Sequence, residues 1–284
     1  MKFMNKKMIA LLLTLALCMT GVSALAEATD LTVAVTILPQ KAWVQAVAQD
    51  LADVVVIVPA GSSPGNYEPT PMEMEAFSKA SVYFTIGVPT EKANILPSAE
   101  GMLVVDLPAL VSEAYEDRTF ASGGRDPHIW LSPKRASVMV NAIADALAQV
   151  DEANADTYRA NADDYLTQLA EVDQYIATTL EGMENKEFIA YHPAYGYLAD
   201  DYGLIMYSLE ESGKEATPEK MAELIDLAKE KGITTVFSQA EIDSKQPDAF
   251  AEDIGGQKVM LAPLAENYIE NLKSMADAIA ASAK

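Results

Sequence analysis

Two histidines are all that 284 residues hold, and both sit among residues suited to metal chemistry. His128 lies in Asp126-Pro127-His128-Ile129-Trp130-Leu131-Ser132-Pro133, shortly after Gly123 and Gly124. The glycines and Pro127 predict irregular backbone, while Ser132 as N-cap and Pro133 at the first helical position predict that a helix begins there. His128 is therefore placed on a loop running into a helix. A neutral imidazole there can ligate a zinc-like ion, with the Asp126 carboxylate orienting it. His192 closes the apolar run Phe188-Ile189-Ala190-Tyr191 and precedes Pro193-Ala194-Tyr195-Gly196-Tyr197. That pattern is a strand's C-terminal end opening into a helix, where open α/β sheets bind ligands. One loop histidine commonly only packs or caps; two at element junctions, one in each half of the chain, point to a shared site.

The elements that must position them begin after a leader. Residues 1–26 carry Lys2, Lys6 and Lys7, an apolar run from Met8 to about Leu17, and Ala24-Leu25-Ala26 as a small-x-small cleavage site. The run is too short for a good membrane span. Cys18, the single cysteine, follows Leu17 where a lipobox needs a small residue, so cleavage after Ala26 is predicted. The mature chain then has no thiol and no disulfide. Losing three lysines and no acids moves the formal charge from −22 to −25, which repels nucleic acid and anionic membranes. About 258 residues remain, enough for one large or two ordinary domains.

Residues 30–38 alternate as a strand ended by Pro39, a helix is expected over 41–51, and 53–58 reads as a strand buried on both faces. Thr70 and Glu73 form a capping box with Pro71 at the first helical position, predicting a helix over 71–79. Strands follow at 82–86 and 102–105, then a helix at 132–150. Over 152–180, Tyr158, Tyr165, Leu169, Val172, Ile176 and Leu180 fall on one helical stripe, long enough to connect two domains. Beyond it strands at 187–191, 204–208, 233–238 and 258–261 alternate with helices, one of them capped by Thr217-Pro218 and stopped by Gly232. The expected fold is α/β: two lobes, each a mostly parallel sheet flanked by helices, joined by one long helix, with a cleft between them. The segments are a leader 1–26, a first lobe 27–150, a connecting helix 151–185 and a second lobe 186–284.

An enzyme is not indicated. Gly61-Ser62-Ser63-Pro64-Gly65 matches the Gly-x-Ser-x-Gly elbow in form, but that motif needs the N–H after the serine, and Pro64 has none. No His-Glu-x-x-His occurs.

Tyr67-Glu68-Pro69-Thr70-Pro71, the eight residues around His128, the helix led by Asn154-Ala155-Asp156-Thr157-Tyr158 with Asn161, and His192-Pro193-Ala194-Tyr195-Gly196-Tyr197 together resemble the zinc- and manganese-binding solute receptors of bacterial ABC importers. The resemblance spans essentially the mature chain. It implies an ion held in the interlobe cleft by typically four protein ligands, of which His128 and His192 fill two. Gly65 and Ala262 stand where a histidine and an aspartate are common, and a histidine-rich loop seen in many zinc members is absent. Glu241, just past the strand at 233–238, is the best compensating carboxylate. Gln239 is next to it in reach, Asn66 or Glu68 can project from the first loop, where Glu68 is expected rather to hydrogen-bond the loop backbone or support the shell, and Tyr67, Trp130 and Tyr195 are expected as cleft wall. The implied ligand is zinc, with manganese next, because imidazole with one carboxylate suits zinc better. No organic cofactor is implied. The implied partners are the divalent ion and an ABC importer permease, for a monomer without nucleic acid, exported across the inner membrane to the periplasm or outer surface. The alternative is a metal-free relative that binds another small solute or serves as an adhesin.

Overall fold

A computed structural model describes residues 31–211 and 213–283, so the predicted leader lies outside the described residues. β1 (Thr32–Val35), β2 (Asp53–Val56), β3 (Val82–Thr85) and β4 (Leu103–Asp106) form one sheet in the order β2-β1-β3-β4, and every pairing is parallel. β5 (Glu187–Ala190), β6 (Ile205–Ser208), β7 (Thr235–Ser238) and β8 (Gln257–Met260) repeat that order as β6-β5-β7-β8, again all parallel. The inner strands β3 and β7 are buried along their whole length, as short β-rich runs covered by helices on both faces must be. In each sheet the strand order reverses beside the first strand, which leaves a crevice at the C-terminal ends of β1 and β3, and another at those of β5 and β7.

Several element starts follow from capping. Thr70 accepts from the Glu73 N–H and Glu73 reaches back to the Thr70 N–H at 2.7 Å, so the capping box opens α2 (Pro71–Phe77). Helix α1 (Leu38–Ala48) begins three residues earlier than expected. Pro39 is not a strand terminator but lies in the first helical turn, where no N–H is needed, and Gln40 Oε1 accepts from the N–H groups of Thr36 and Ile37 at 2.9 and 3.1 Å. Helix α3 (Leu107–Ala114) has no counterpart in the sequence reading; Asp106, the last residue of β4, caps it by accepting from the Ala109 N–H.

The long helix is α5 (Ala155–Glu181), 27 residues and roughly 40 Å. Tyr158, Tyr165, Leu169, Val172, Ile176 and Leu180 are all buried, with Ala162 completing the stripe. That stripe packs on α1 and α4 (Pro133–Val150) and on the helix Tyr268–Ala281 that follows the second sheet in the chain. Above it the halves are pinned through aromatic contacts. The Trp43 ring meets Tyr268 edge-on at 5.2 Å, the Tyr268 hydroxyl donates to the Trp130 carbonyl at 2.5 Å, and Trp130 Nε1 donates to the Pro263 carbonyl at 2.8 Å. No helix among the described residues is long and apolar enough to cross a membrane.

Glu91 ties the first crevice together. Its carboxylate accepts from the N–H groups of Ile86 and Gly87 at 2.7 Å each and from the Thr36 hydroxyl, joining the ends of β1 and β3. Burial pushes its carboxyl up to about 7 from an ordinary 4.5. The folded protein thus keeps a proton between those two values that the unfolded chain has released. The stabilisation from Glu91 is full below pH 4.5 and is lost as pH rises through 7, a change of up to roughly 3 kcal/mol. Glu91→Gln cannot titrate, so urea unfolding across this range should give a shallower loss of stability with rising pH than the native chain shows. Parallel slopes for the two proteins would contradict the assignment.

Candidate metal centre

His192 stands two residues past the end of β5. Because Ala190 pairs with Ser208, Glu210 stands at the matching place past β6. His192 Nδ1 lies 2.9 Å from Glu210 Oε2. His128 reaches the same point from the first half of the chain. It does not follow a strand: it comes after a short antiparallel bridge, Thr119 to Arg125, and leads into the 3-10 turn Ile129–Leu131 and α4, whose N-cap Ser132 accepts from the Arg135 N–H. Asp126, fully buried, accepts from the His128 backbone N–H at 3.0 Å and lies 2.7 Å from its Nδ1.

Both carboxylates can only accept, so each Nδ1 carries the hydrogen and each Nε2 carries a lone pair. The two Nε2 atoms face one another at 3.1 Å. Two lone pairs at that distance repel unless a proton or a cation lies between them. Tetrahedral zinc with bonds near 2.0–2.1 Å would hold two imidazole nitrogens about 3.3 Å apart, so the pair is close to the bite of such an ion. Burial pushes the His128 imidazole below its ordinary value, against the opposing pull of Asp126, and so keeps it in the neutral, ligating form. Its ring packs at 5.1 Å from Trp130 and 6.4 Å from Phe120.

The orienting carboxylate of His128 is itself held. Arg118 Nε lies 3.5 Å from Asp126 Oδ2, and Arg118 Nη1 donates to both oxygens of Asp200 at 2.7 and 2.6 Å. The Tyr197 hydroxyl donates to the Asp126 carbonyl and accepts from the Arg118 N–H, each at 3.0 Å. Gly196 makes room for this latch, since a Cβ there would stand 2.2 Å from Arg118 Nε. Asp200 and Tyr197 belong to α6 (Gly196–Asp201), so the loop carrying His128 is gripped by the helix that follows His192.

Glu241 lines the same cleft, three residues past β7, and its Oε2 is buried without a hydrogen-bond partner. Burial pushes its carboxyl up, and the nearby His192 pulls it only partly back. Gln239, also on the cleft wall, leaves its Oε1 buried and unpartnered. Among the described residues, no three His, Cys, Asp or Glu side chains converge closely enough to hold an ion. Asn66 lines the cleft, but Glu68 is exposed and lies off it; the loop contacts expected of Glu68 are made by Glu73, which accepts from the Tyr67 hydroxyl and the Thr70 N–H. Of the three aromatics expected as wall, Trp130 lines the cleft. Tyr67 points instead to Glu73, and Tyr195 is buried behind the wall with its hydroxyl unpartnered. At Gly65, which borders the cleft, an added Cβ would meet only Ser63 Oγ at 3.5 Å. Glu210 was not read from the sequence; its only signal is its distance beyond a strand end, which has meaning once β5 and β6 are known to be neighbours.

Two parallel-sheet lobes meeting at a pair of carboxylate-backed imidazoles define the class, a two-lobed α/β protein with a histidine pair in its cleft. The particular family follows from comparison: residues 33–282 match the model of the family described as zinc-uptake complex component A, periplasmic, and the chain belongs to that family. It is 28% identical over 261 residues to the high-affinity zinc uptake system protein ZnuA of Bacillus subtilis, covering 85% of this chain and 81% of that one. It is 26% identical over 257 residues to the zinc-binding protein AdcA of Streptococcus pyogenes, and spans 50% of that longer protein. A crystal structure of ZnuA superposes with a TM-score of 0.84 at 32% identity, covering 89% of this chain and 99% of the other. A ZnuA deletion mutant with zinc bound gives the same score and identity over 89% and 98% of the two chains.

The carboxylate behind His192 is open to test. Glu210→Gln keeps an acceptor oxygen for His192 Nδ1–H but removes the negative charge that makes the imidazole a stronger donor to the ion, so zinc affinity should fall about 10- to 100-fold with the unfolding midpoint little changed. Competition titration against a zinc indicator reads it, and an unchanged affinity would remove Glu210 from the centre.

Proposed function

We propose that this protein is an extracytoplasmic receptor that captures a divalent metal ion, zinc before manganese, between its lobes and delivers it to an ABC import permease. The observation that carries this reading is the pair of Nε2 atoms 3.1 Å apart, each imidazole locked by a carboxylate on its other nitrogen. His128 and His192 supply two donors, one from each side of the cleft, and Glu241 supplies the third. Its buried, unpartnered oxygen and raised carboxyl describe a group that gains from a neighbouring cation, and drawing it onto the ion requires a small closing movement, since the three do not yet converge. The lobes on either side of the ion are taken as residues 27–150 and 186–284, with 151–185 between them.

No covalent step is involved. The ion is cargo, and it favours the closed form by its higher affinity for that form. Membership of a family described as periplasmic, together with the leader read at 1–26, supports export and a permease as the receiving partner. Both relatives compared by sequence are named for zinc uptake or zinc binding, which supports zinc as the cargo.

Titration of chelator-stripped protein with zinc and with manganese tests the reading. One equivalent of zinc should bind with submicromolar affinity and raise the melting temperature, manganese should bind more weakly, and His128→Ala or His192→Ala should abolish stoichiometric binding. Glu241→Ala should weaken it about tenfold or more. The wide approach at Gly65 and the absence of a third converged donor favour one other reading, a metal-free relative that binds a different solute. Absence of stoichiometric binding of either ion would establish it.

A further inference from the structure

The cleft is far larger than a metal ion needs. It encloses about 1360 Å³, above the roughly 300–1,000 Å³ typical of sites for small organic ligands. Its walls include apolar and aromatic surface from Phe120, Trp130, Tyr191 and Ile242, suited to carbon rather than to water. The donor set is correspondingly small, two imidazoles with one carboxylate to be drawn in. Zinc takes four ligands and expands to five, so with two imidazoles and one carboxylate from the chain, positions on the ion remain for ligands that the chain does not supply.

Charge narrows what can fill them. Glu210, Glu211, Glu215, Glu241 and Asp243 line the cleft, so a strongly anionic ligand is repelled and a complex of net positive charge is favoured. Of the cleft's cations, Arg118 and Arg125 are held by Asp200 and Asp117 at 2.6 and 2.7 Å, and Lys220 stands 3.8 Å from Glu223. Lys92, on the turn after β3, makes no ion pair among the described residues and faces the same cleft. An ammonium without an ion pair among the described residues, in a mostly acidic cleft, matches a ligand with a single carboxylate.

We propose that this receptor takes zinc as a 1:1 complex with a small amino-carboxylate chelator of the amino-acid type, the amine and carboxylate of the chelator completing the coordination that His128 and His192 begin, with Lys92 pairing the carboxylate. Such a complex carries one positive charge in all, which fits the acidic cleft, and ligands already on the metal make up for the donors the chain lacks. The inference rests on the receptor reading above and adds the form in which the ion arrives.

Equilibrium dialysis of the chelator-stripped protein with radiolabelled L-histidine, with and without one equivalent of zinc, tests it. About one labelled histidine per protein should be retained with zinc and none without it, and His128→Ala should release the label. Lys92→Met should weaken retention of the label several-fold more than it weakens binding of zinc alone; equal losses would remove Lys92 from the site. Zinc bound at one equivalent with no label retained would overturn the inference and leave the receptor reading standing. Failure to retain zinc under either condition would end both, and label retained equally without zinc would replace them with an amino-acid receptor.

Discussion

Two imidazole lone pairs aimed at each other across a cleft are unfavourable unless something electron-poor lies between them, and the rest of the structure serves to hold them so. Each ring is turned by a carboxylate on its far nitrogen, Asp126 for His128 and Glu210 for His192. Asp126 orients His128 from two residues away on the same loop, whereas Glu210 reaches His192 from the end of the neighbouring strand, so the pair depends on how both halves of the chain are placed. Burial adds to this by keeping His128 unprotonated where solvent would let it charge.

The placement comes from a repeated piece of topology. Both sheets run in the same order and are entirely parallel, and the reversal of strand order opens a crevice at the same end of each. Polar groups gather at those crevices, Glu91 and Thr36 in the first, His192, Glu210, Gln239 and Glu241 in the second. In the first sheet the polar groups satisfy one another, with Glu91 filled by two backbone N–H groups and a hydroxyl. In the second, oxygens on Gln239 and Glu241 are left without partners. Unsatisfied buried acceptors are costly, and their concentration beside the imidazoles is the electrostatic condition a cation relieves.

Rigidity between the lobes is supplied by two independent means. The buried stripe of α5 contacts helices from both halves, and the Trp43, Tyr268 and Trp130 contacts with Pro263 bridge them above it. The Arg118 latch then fastens the His128 loop to α6, with Gly196 permitting an approach that any side chain would block.

Much of this was legible in the residues alone. Helical spacing marked the stripe of α5, capping chemistry placed the starts of α2 and α4, and the β-rich runs located every strand to within a few residues, because these are local properties of a chain with period 2 or 3.6. Local patterns also misled in places: Pro39 looked like a strand's end and proved to be in a helix's first turn, and α3 was hidden because Asp106 both ends a strand and caps a helix. Both histidines and Asp126 could be singled out by type and context, and resemblance supplied the family to which they belong. Sequence spacing could not reveal that residues 64 positions apart bring Nε2 atoms to 3.1 Å, that Glu210 backs His192, that Glu73 rather than Glu68 organises its loop, or that Arg118 grips Asp126 from beneath Gly196. Those depend on which strands are neighbours and how two lobes face each other, and that is decided by the summed burial of the whole core rather than by any stretch of chain within it.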